Sequence, residues 1–133
     1  MKYIAILLCC CSLIVCFNEE YDKKIKKITE ECQKNPATQA SEEWLKTEDV
    51  SVNLEGEGSH IFCRLKLLGS LKENGDIDME AMKTDLSSGI SDPEIVEALV
   101  EKCGTRTPGS SPEKSAIDNF RCILLNYDKL KKD

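Results

Sequence analysis

Four cysteines, Cys32, Cys63, Cys103 and Cys122, follow an apolar leader, with 30, 39 and 18 residues between successive members. Cysteine metal sites usually offer ligands in pairs two to four residues apart, so that one turn presents two of them. None of these four has a partner that close, and the chain holds a single histidine, His60. Wide spacing of this kind reads instead as long-range disulfides, which staple small domains in oxidising compartments. No metal or cofactor is expected.

The leader sets the compartment. Met1 and Lys2 open it, Tyr3 to Cys16 carry no charge, and Asn18, Glu19 and Glu20 end it abruptly. That run is too short to span a bilayer comfortably and has the layout of a secretory signal peptide. Residues 1–17 are read as this signal, cleaved near Cys16 or Phe17, and residues 18–133 as one secreted, extracellular helical domain. The competing reading, a lipid-modified Cys16, wants a small residue where the bulky Val15 stands. Cys9, Cys10, Cys11 and Cys16 then act as small hydrophobes that leave with the leader.

Of 18 basic residues one, Lys2, belongs to the leader, which leaves 17 against 24 acidic residues and a net charge of about −7. Such a surface repels nucleic acid and anionic membranes, since phosphate binding needs concentrated Lys and Arg. The basic clusters at Lys23-Lys24, Lys26-Lys27 and Lys129 to Lys132 sit among acids on solvated faces or near helix ends.

Helical periodicity dominates the rest. Tyr21, Ile25, Ile28 and Cys32 recur at helical spacing from Glu19 to Lys34, and Asn35-Pro36 stops that stripe. Ser41 caps a short second helix containing Trp44 and Leu45. Val50 to Leu54 alternates like a strand but stands alone, and reads as an extended connector whose apolar residues lean on the core. A third helix runs from Ser59 to Glu73 with Ile61, Leu65 and Leu68 on one side, ended by Asn74-Gly75. Asp76 or Asp78 caps a fourth with Met79, Met82 and Leu86, closing at Gly89. Ser91-Asp92-Pro93-Glu94 starts a fifth with Ile95, Leu99 and Cys103, ended by Gly104. Ser111-Pro112-Glu113 starts a sixth reaching Leu130, with Ile117, Phe120, Leu124 and Tyr127 on one stripe. The fold class is all-α, a compact bundle of about six helices.

Four cysteines allow three pairings. Cys103 ends one helix and Cys122 lies midway along the next, with a flexible loop between them, so these two can meet. Cys32 is then left for Cys63.

The frame, the six helices and several local strings resemble insect odorant-binding proteins of the pheromone and general odorant-binding group. Leu68 to Asp78 looks like that family's junction between third and fourth helices, and Glu101-Lys102-Cys103-Gly104 is similar to the end of its fifth helix. The family usually carries six cysteines, the second and third separated by three residues and the fifth and sixth by eight. Counting back from Cys63 and Cys122 puts the two missing ones at Ser59 and Glu113. The chain thus resembles the Minus-C subclass, which implies Cys32–Cys63 and Cys103–Cys122 as the retained bridges and brings Ser59 near Glu113.

The resemblance implies a carrier of small hydrophobic molecules, odorants, pheromones or similar lipids, held in an internal apolar cavity. Trp44, Leu45, Ile61, Leu65, Leu68, Met79, Met82, Leu86, Ile95, Leu99, Phe120, Leu124 and Tyr127 are the candidate walls, although stripes at this spacing build ordinary cores as well. Met79 and Met82 suit an adaptable wall, and Tyr127 offers a phenol that a ligand hydroxyl or carbonyl could satisfy. The partner is a small apolar ligand, with a membrane receptor or other protein left open and the oligomeric state unspecified. The alternative is a non-olfactory role of the same scaffold, in saliva, venom or reproductive fluid, acting on a protein partner.

No catalytic residues are expected. There is no Gly-x-Ser-x-Gly elbow, and His60, alone at a helix start, reads as a surface or capping residue. Asn74 to Asp78 superficially matches a calcium loop. Placing Gly75 at its sixth position, however, puts Ser70, Lys72 and Ala81 where oxygen ligands are required.

Overall fold

Proline and capping side chains punctuate this chain, and four of its helices begin where they stand. A computed structural model describes residues 19–132, so the leader and its signal-peptide reading lie outside the described residues. Six α-helices occur among them: α1 (19–33), α2 (Glu42–Thr47), α3 (Gly58–Leu67), α4 (Met79–Gly89), α5 (Pro93–Cys103) and α6 (Pro112–Lys132). Ser41 Oγ accepts from the Trp44 amide, Asp78 from Ala81, Asp92 from Glu94 and Ser111 from Lys114, each satisfying an amide of a first helical turn. Of the two acids offered for α4, Asp78 is the cap. Asp76 instead accepts from Arg106 at 2.8 Å.

The third helix stops six residues earlier than its apolar pattern predicts. Gly69 takes φ +85°, the Ser70 amide reaches back to the Leu65 carbonyl, and the Gly69 amide to Lys66, both at 3.0 Å. This paired closure is favoured where a glycine supplies the left-handed residue. Asn74-Gly75 therefore serves a separate tight turn, bracketed by a single antiparallel bridge between Leu71 and Ile77. Gly75 has φ +92°, and a Cβ there would lie 2.7 Å from Pro112 Cα, so this turn needs glycine twice over.

Helix α6 is the spine, packing against both α3 and α5 while α4 packs on α5. Two apolar clusters result. One joins Trp44, Leu54, Ile61, Leu65, Leu71 and Ile117; the other joins Met82, Leu86, Val96, Leu99 and Cys103. The connector after α2 contributes Leu54 to the first, but its Val52 is exposed rather than leaning on the core. Arg121 of α6 holds the connector by donating to the Val50 and Val52 carbonyls at 3.0 and 3.1 Å.

Both disulfides form as expected. Cys32–Cys63 ties α1 to α3 and Cys103–Cys122 ties α5 to α6, with Cα atoms 6.0 and 5.7 Å apart. On loop entropy each stabilises the fold by about 3–4 kcal/mol.

His60 departs from its expected surface position. The 3-10 turn Pro36–Thr38 packs over the start of α3, which leaves the ring wholly buried, with Nδ1 3.0 Å from the Thr38 carbonyl and its edge toward Trp44.

Candidate functional site

Three helices turn the same kind of face toward one space. Ile61, Arg64 and Leu65 of α3 and Leu68 at its C-terminal cap fall at helical spacing, as do Phe120, Ile123, Leu124 and Tyr127 of α6. Asp85, Leu86 and Gly89 of α4 complete the set. Tyr21, Asp22 and Ile25 of α1 lie across these faces. Between them are two adjoining cavities of about 380 and 430 Å³ that share Tyr21, Asp22, Leu86, Ile123 and Leu124. The first is walled by α3 and α6, with Thr47 and Glu48 at one side. The second continues toward Gly89, Ile90 and Tyr127.

Helix α1 is held over the space from both ends. Its far end carries the Cys32–Cys63 bridge. At the near end the Tyr21 ring rests on α4 so closely that a Cβ on Gly89 would come within 2.8 Å of it. The same side chain donates from its hydroxyl to Asp85 Oδ2 at 3.1 Å, and Lys24 Nζ lies 4.0 Å from Oδ1.

The walls are apolar with two embedded charges. Arg64 is buried and donates to Glu48, while its guanidinium lies 5.6 Å from the centre of the Phe120 ring. Glu48 reaches it from a left-handed backbone, φ 47°, where its amide closes α2 on the Trp44 carbonyl. A residue other than glycine rarely takes that conformation. The second charge is Asp85, 7% exposed, whose Oδ1 has no hydrogen-bond partner. Burial pushes its carboxyl above the usual carboxylate range, against the opposing pull of Tyr21 and Lys24. Burial and the neighbouring Asp85 likewise push the Tyr21 phenol well above its ordinary value.

Of the thirteen candidate walls, Ile61, Leu65, Leu68, Leu86, Phe120 and Leu124 line the 380 Å³ cavity, and Tyr127 lines the neighbouring one. Leu45 faces an open groove of about 660 Å³ between α1 and α2, whose rim is mostly charged. The others line neither cavity. Trp44, Met82 and Leu99 are buried in the two apolar clusters, and Ile95 packs against the second. Met79 is 48% exposed, with its thioether end close to Gly104. Tyr21, Asp22, Ile25, Thr47, Glu48, Arg64, Asp85 and Ile123 line the 380 Å³ cavity without having been singled out. A usable signal existed for two of them. Arg64 and Asp85 are charged residues at apolar positions of their helical stripes.

Among the described residues no group of His, Cys, Asp and Glu side chains is arranged to hold a metal, and no helix is long and apolar enough to cross a membrane. The PBP/GOBP family matches residues 15–126, a span that includes all four bridged cysteines and every residue lining the 380 Å³ cavity. The chain belongs to the PBP/GOBP family. This PBP/GOBP chain is also 25% identical over 71 residues to a long form salivary protein D7L1 of Aedes albopictus, across 53% of its own length. It spans 21% of that curated relative. No solved structure matches it.

Proposed function

We propose that this PBP/GOBP protein is a secreted carrier that binds a small apolar molecule in the space beneath α1. The observation that carries the reading is the 380 Å³ cavity, walled chiefly by aliphatic and aromatic side chains from α1, α3, α4 and α6. Its volume falls within the range of small-molecule sites, and family membership supports carriage rather than catalysis. Burying about ten methylenes gains about 8 kcal/mol gross. That corresponds to about micromolar affinity before immobilisation draws it back, which suits a carrier that must release its cargo. With four bridged cysteines, the Minus-C subclass is the part of the family this chain fits.

Displacement of a fluorescent apolar probe by C8–C12 alcohols and esters, titrated up to their solubility limits, tests the reading. Leu124→Trp, which fills space shared by both cavities, should weaken displacement about tenfold, a loss of ~1.4 kcal/mol. Failure of every such ligand to displace the probe overturns the proposal.

The match to a salivary protein favours a second reading, a non-olfactory role of the same scaffold; action on a protein partner would be one form of it. Immunodetection in salivary rather than antennal tissue, with capture of one defined partner by the ligand-free protein, would support it over olfactory transport.

A further inference from the structure

We infer that Asp85 gives the cavity a head-group preference, selecting apolar molecules that end in a hydroxyl over the acids and esters of the same chain length. This rests on the carrier reading and names its ligand class. Asp85 lines the 380 Å³ cavity and is 7% exposed, and one of its oxygens is without a hydrogen-bond partner. An ionised carboxylate has about four acceptor sites, and the Tyr21 hydroxyl fills one of them. A buried polar atom left unmet is costly. A ligand that brings a donor to Oδ1 removes that cost, so its head group gains more here than in water.

The surrounding charges decide which donor fits. Asp22, Glu48 and Asp85 line the cavity against a single base, Arg64, and Arg64 is already engaged by Glu48. A carboxylic acid would therefore set a second negative charge beside Asp85, with Arg64 held by Glu48 and Lys24 already facing Asp85 Oδ1. An ester offers acceptors alone and would turn lone pairs toward the carboxylate. An ammonium head has less to gain, because Lys24 already stands 4.0 Å from Oδ1. A hydroxyl supplies the missing donor without adding charge. Tyr21, wedged on Gly89, keeps the carboxylate oriented as the ligand enters.

The test uses the mature protein at neutral pH, with N-phenyl-1-naphthylamine as probe and 1-decanol, decanoic acid and methyl decanoate as competitors. Decanol should displace the probe at about tenfold lower concentration than either of the others, as expected for one hydrogen bond to a charged group. In Asp85→Asn the amide oxygen can keep accepting from Tyr21, which leaves the amide N–H groups for the ligand, so the order should swing toward the ester. In Asp85→Leu the discrimination between decanol and the ester should vanish, read as the ratio of the two competitors' displacing concentrations so that any change in probe affinity cancels. An unchanged order in both variants, or decanoic acid matching decanol on the unaltered protein, overturns the assignment. Displacement without discrimination removes the head-group preference alone; no displacement by any competitor removes the carrier reading and this inference with it.

Discussion

The Tyr21 hydroxyl donates to Asp85 Oδ2 at 3.1 Å across 64 residues of chain, and this bond fastens the first turn of α1 to the middle of α4. The ring supporting it lies against Gly89, where an added Cβ would come within 2.8 Å of it. Together with the Cys32–Cys63 bridge at the other end of the helix, it makes α1 a wall of the cavity rather than a loose terminal arm.

Tyr21→Phe should therefore destabilise the protein by about 1–3 kcal/mol, the usual consequence of leaving a buried acceptor without its donor. Amide exchange should quicken in the first turns of α1 and hardly at all in α5 and α6. Gly89→Ala should act on the same contact by sterics, since its Cβ would sit 2.8 Å from the Tyr21 ring. Urea melts with residue-resolved exchange check both. Uniform quickening along the chain would show that α1 has no separate dependence on Tyr21.

Asp85 should lower stability at neutral pH. Burial raises its carboxyl above the ordinary 3.8, so the folded state holds this proton more tightly than the unfolded one. The favourable contribution is complete below pH 3.8 and is lost as pH rises through the folded value. Tyr21 and Lys24 of α1 are the polar groups that bear on it. Asp85→Asn retains an oxygen for Tyr21 and removes the buried charge, so its melting temperature should exceed that of the unaltered protein at pH 7. The advantage should disappear below pH 3.8. The ligand-anchoring role proposed for Asp85 is of the kind that often stands against stability.

His60 has the opposite sign. Its burial holds the imidazole below its ordinary 6.5, with the Thr38 carbonyl acting against that shift. Stability from the neutral ring is present above pH 6.5 and falls as pH drops through the folded value. Replacing His60 with Gln should flatten the melting temperature across that window. Because His60 lines neither cavity, ligand affinity at neutral pH should be unchanged. A steep affinity loss between pH 7 and 5 that survives the substitution would assign pH sensitivity to carboxylates such as Asp85.

Much of the scaffold is legible residue by residue. Ser41, Asp78, Asp92 and Ser111 announce helix starts through side-chain chemistry that operates within three residues, and Gly104 marks an end in the same local way. The end of α3 was misplaced because two glycine signals lie six residues apart; the closing bonds to Leu65 and Lys66 that select Gly69 are invisible in a pattern of apolar residues. The cavity was half legible. Apolar faces at helical spacing name Ile61, Leu65, Phe120 and Leu124, yet they name the solid core at Met82 and Leu99 by the same rule. Arg64 and Asp85 escape because charge is ordinarily solvated, and the partners that make their burial tolerable, Glu48 at the end of α2 and Tyr21 of α1, are distant in sequence.

The vacant bridge gives the sharpest test of register. Counting by cysteine spacing puts the vacancy at Ser59 and Glu113, whereas the residue packed directly against Glu113 is Gly58, whose Cβ would stand 3.2 Å from that of Glu113. Ser59, next along α3, is exposed. Bridged cysteines hold their Cβ atoms about 3.8 Å apart, so Gly58→Cys with Glu113→Cys needs the starts of α3 and α6 to part by a few tenths of an ångström. Ile117 Cδ1, also 3.2 Å from the new Cβ, must yield with them. The loop closed is long enough for about 4 kcal/mol of gross stabilisation on chain entropy, and the strain will subtract from it. We expect this pair to oxidise readily in air, and to melt higher oxidised than reduced. The Ser59→Cys, Glu113→Cys pair is the control: if it crosslinks faster, the vacancy lies where cysteine spacing puts it and α3 can rotate to meet it. If neither pair crosslinks, the six-cysteine frame is the wrong description of this chain, and its two bridges constitute a framework of their own.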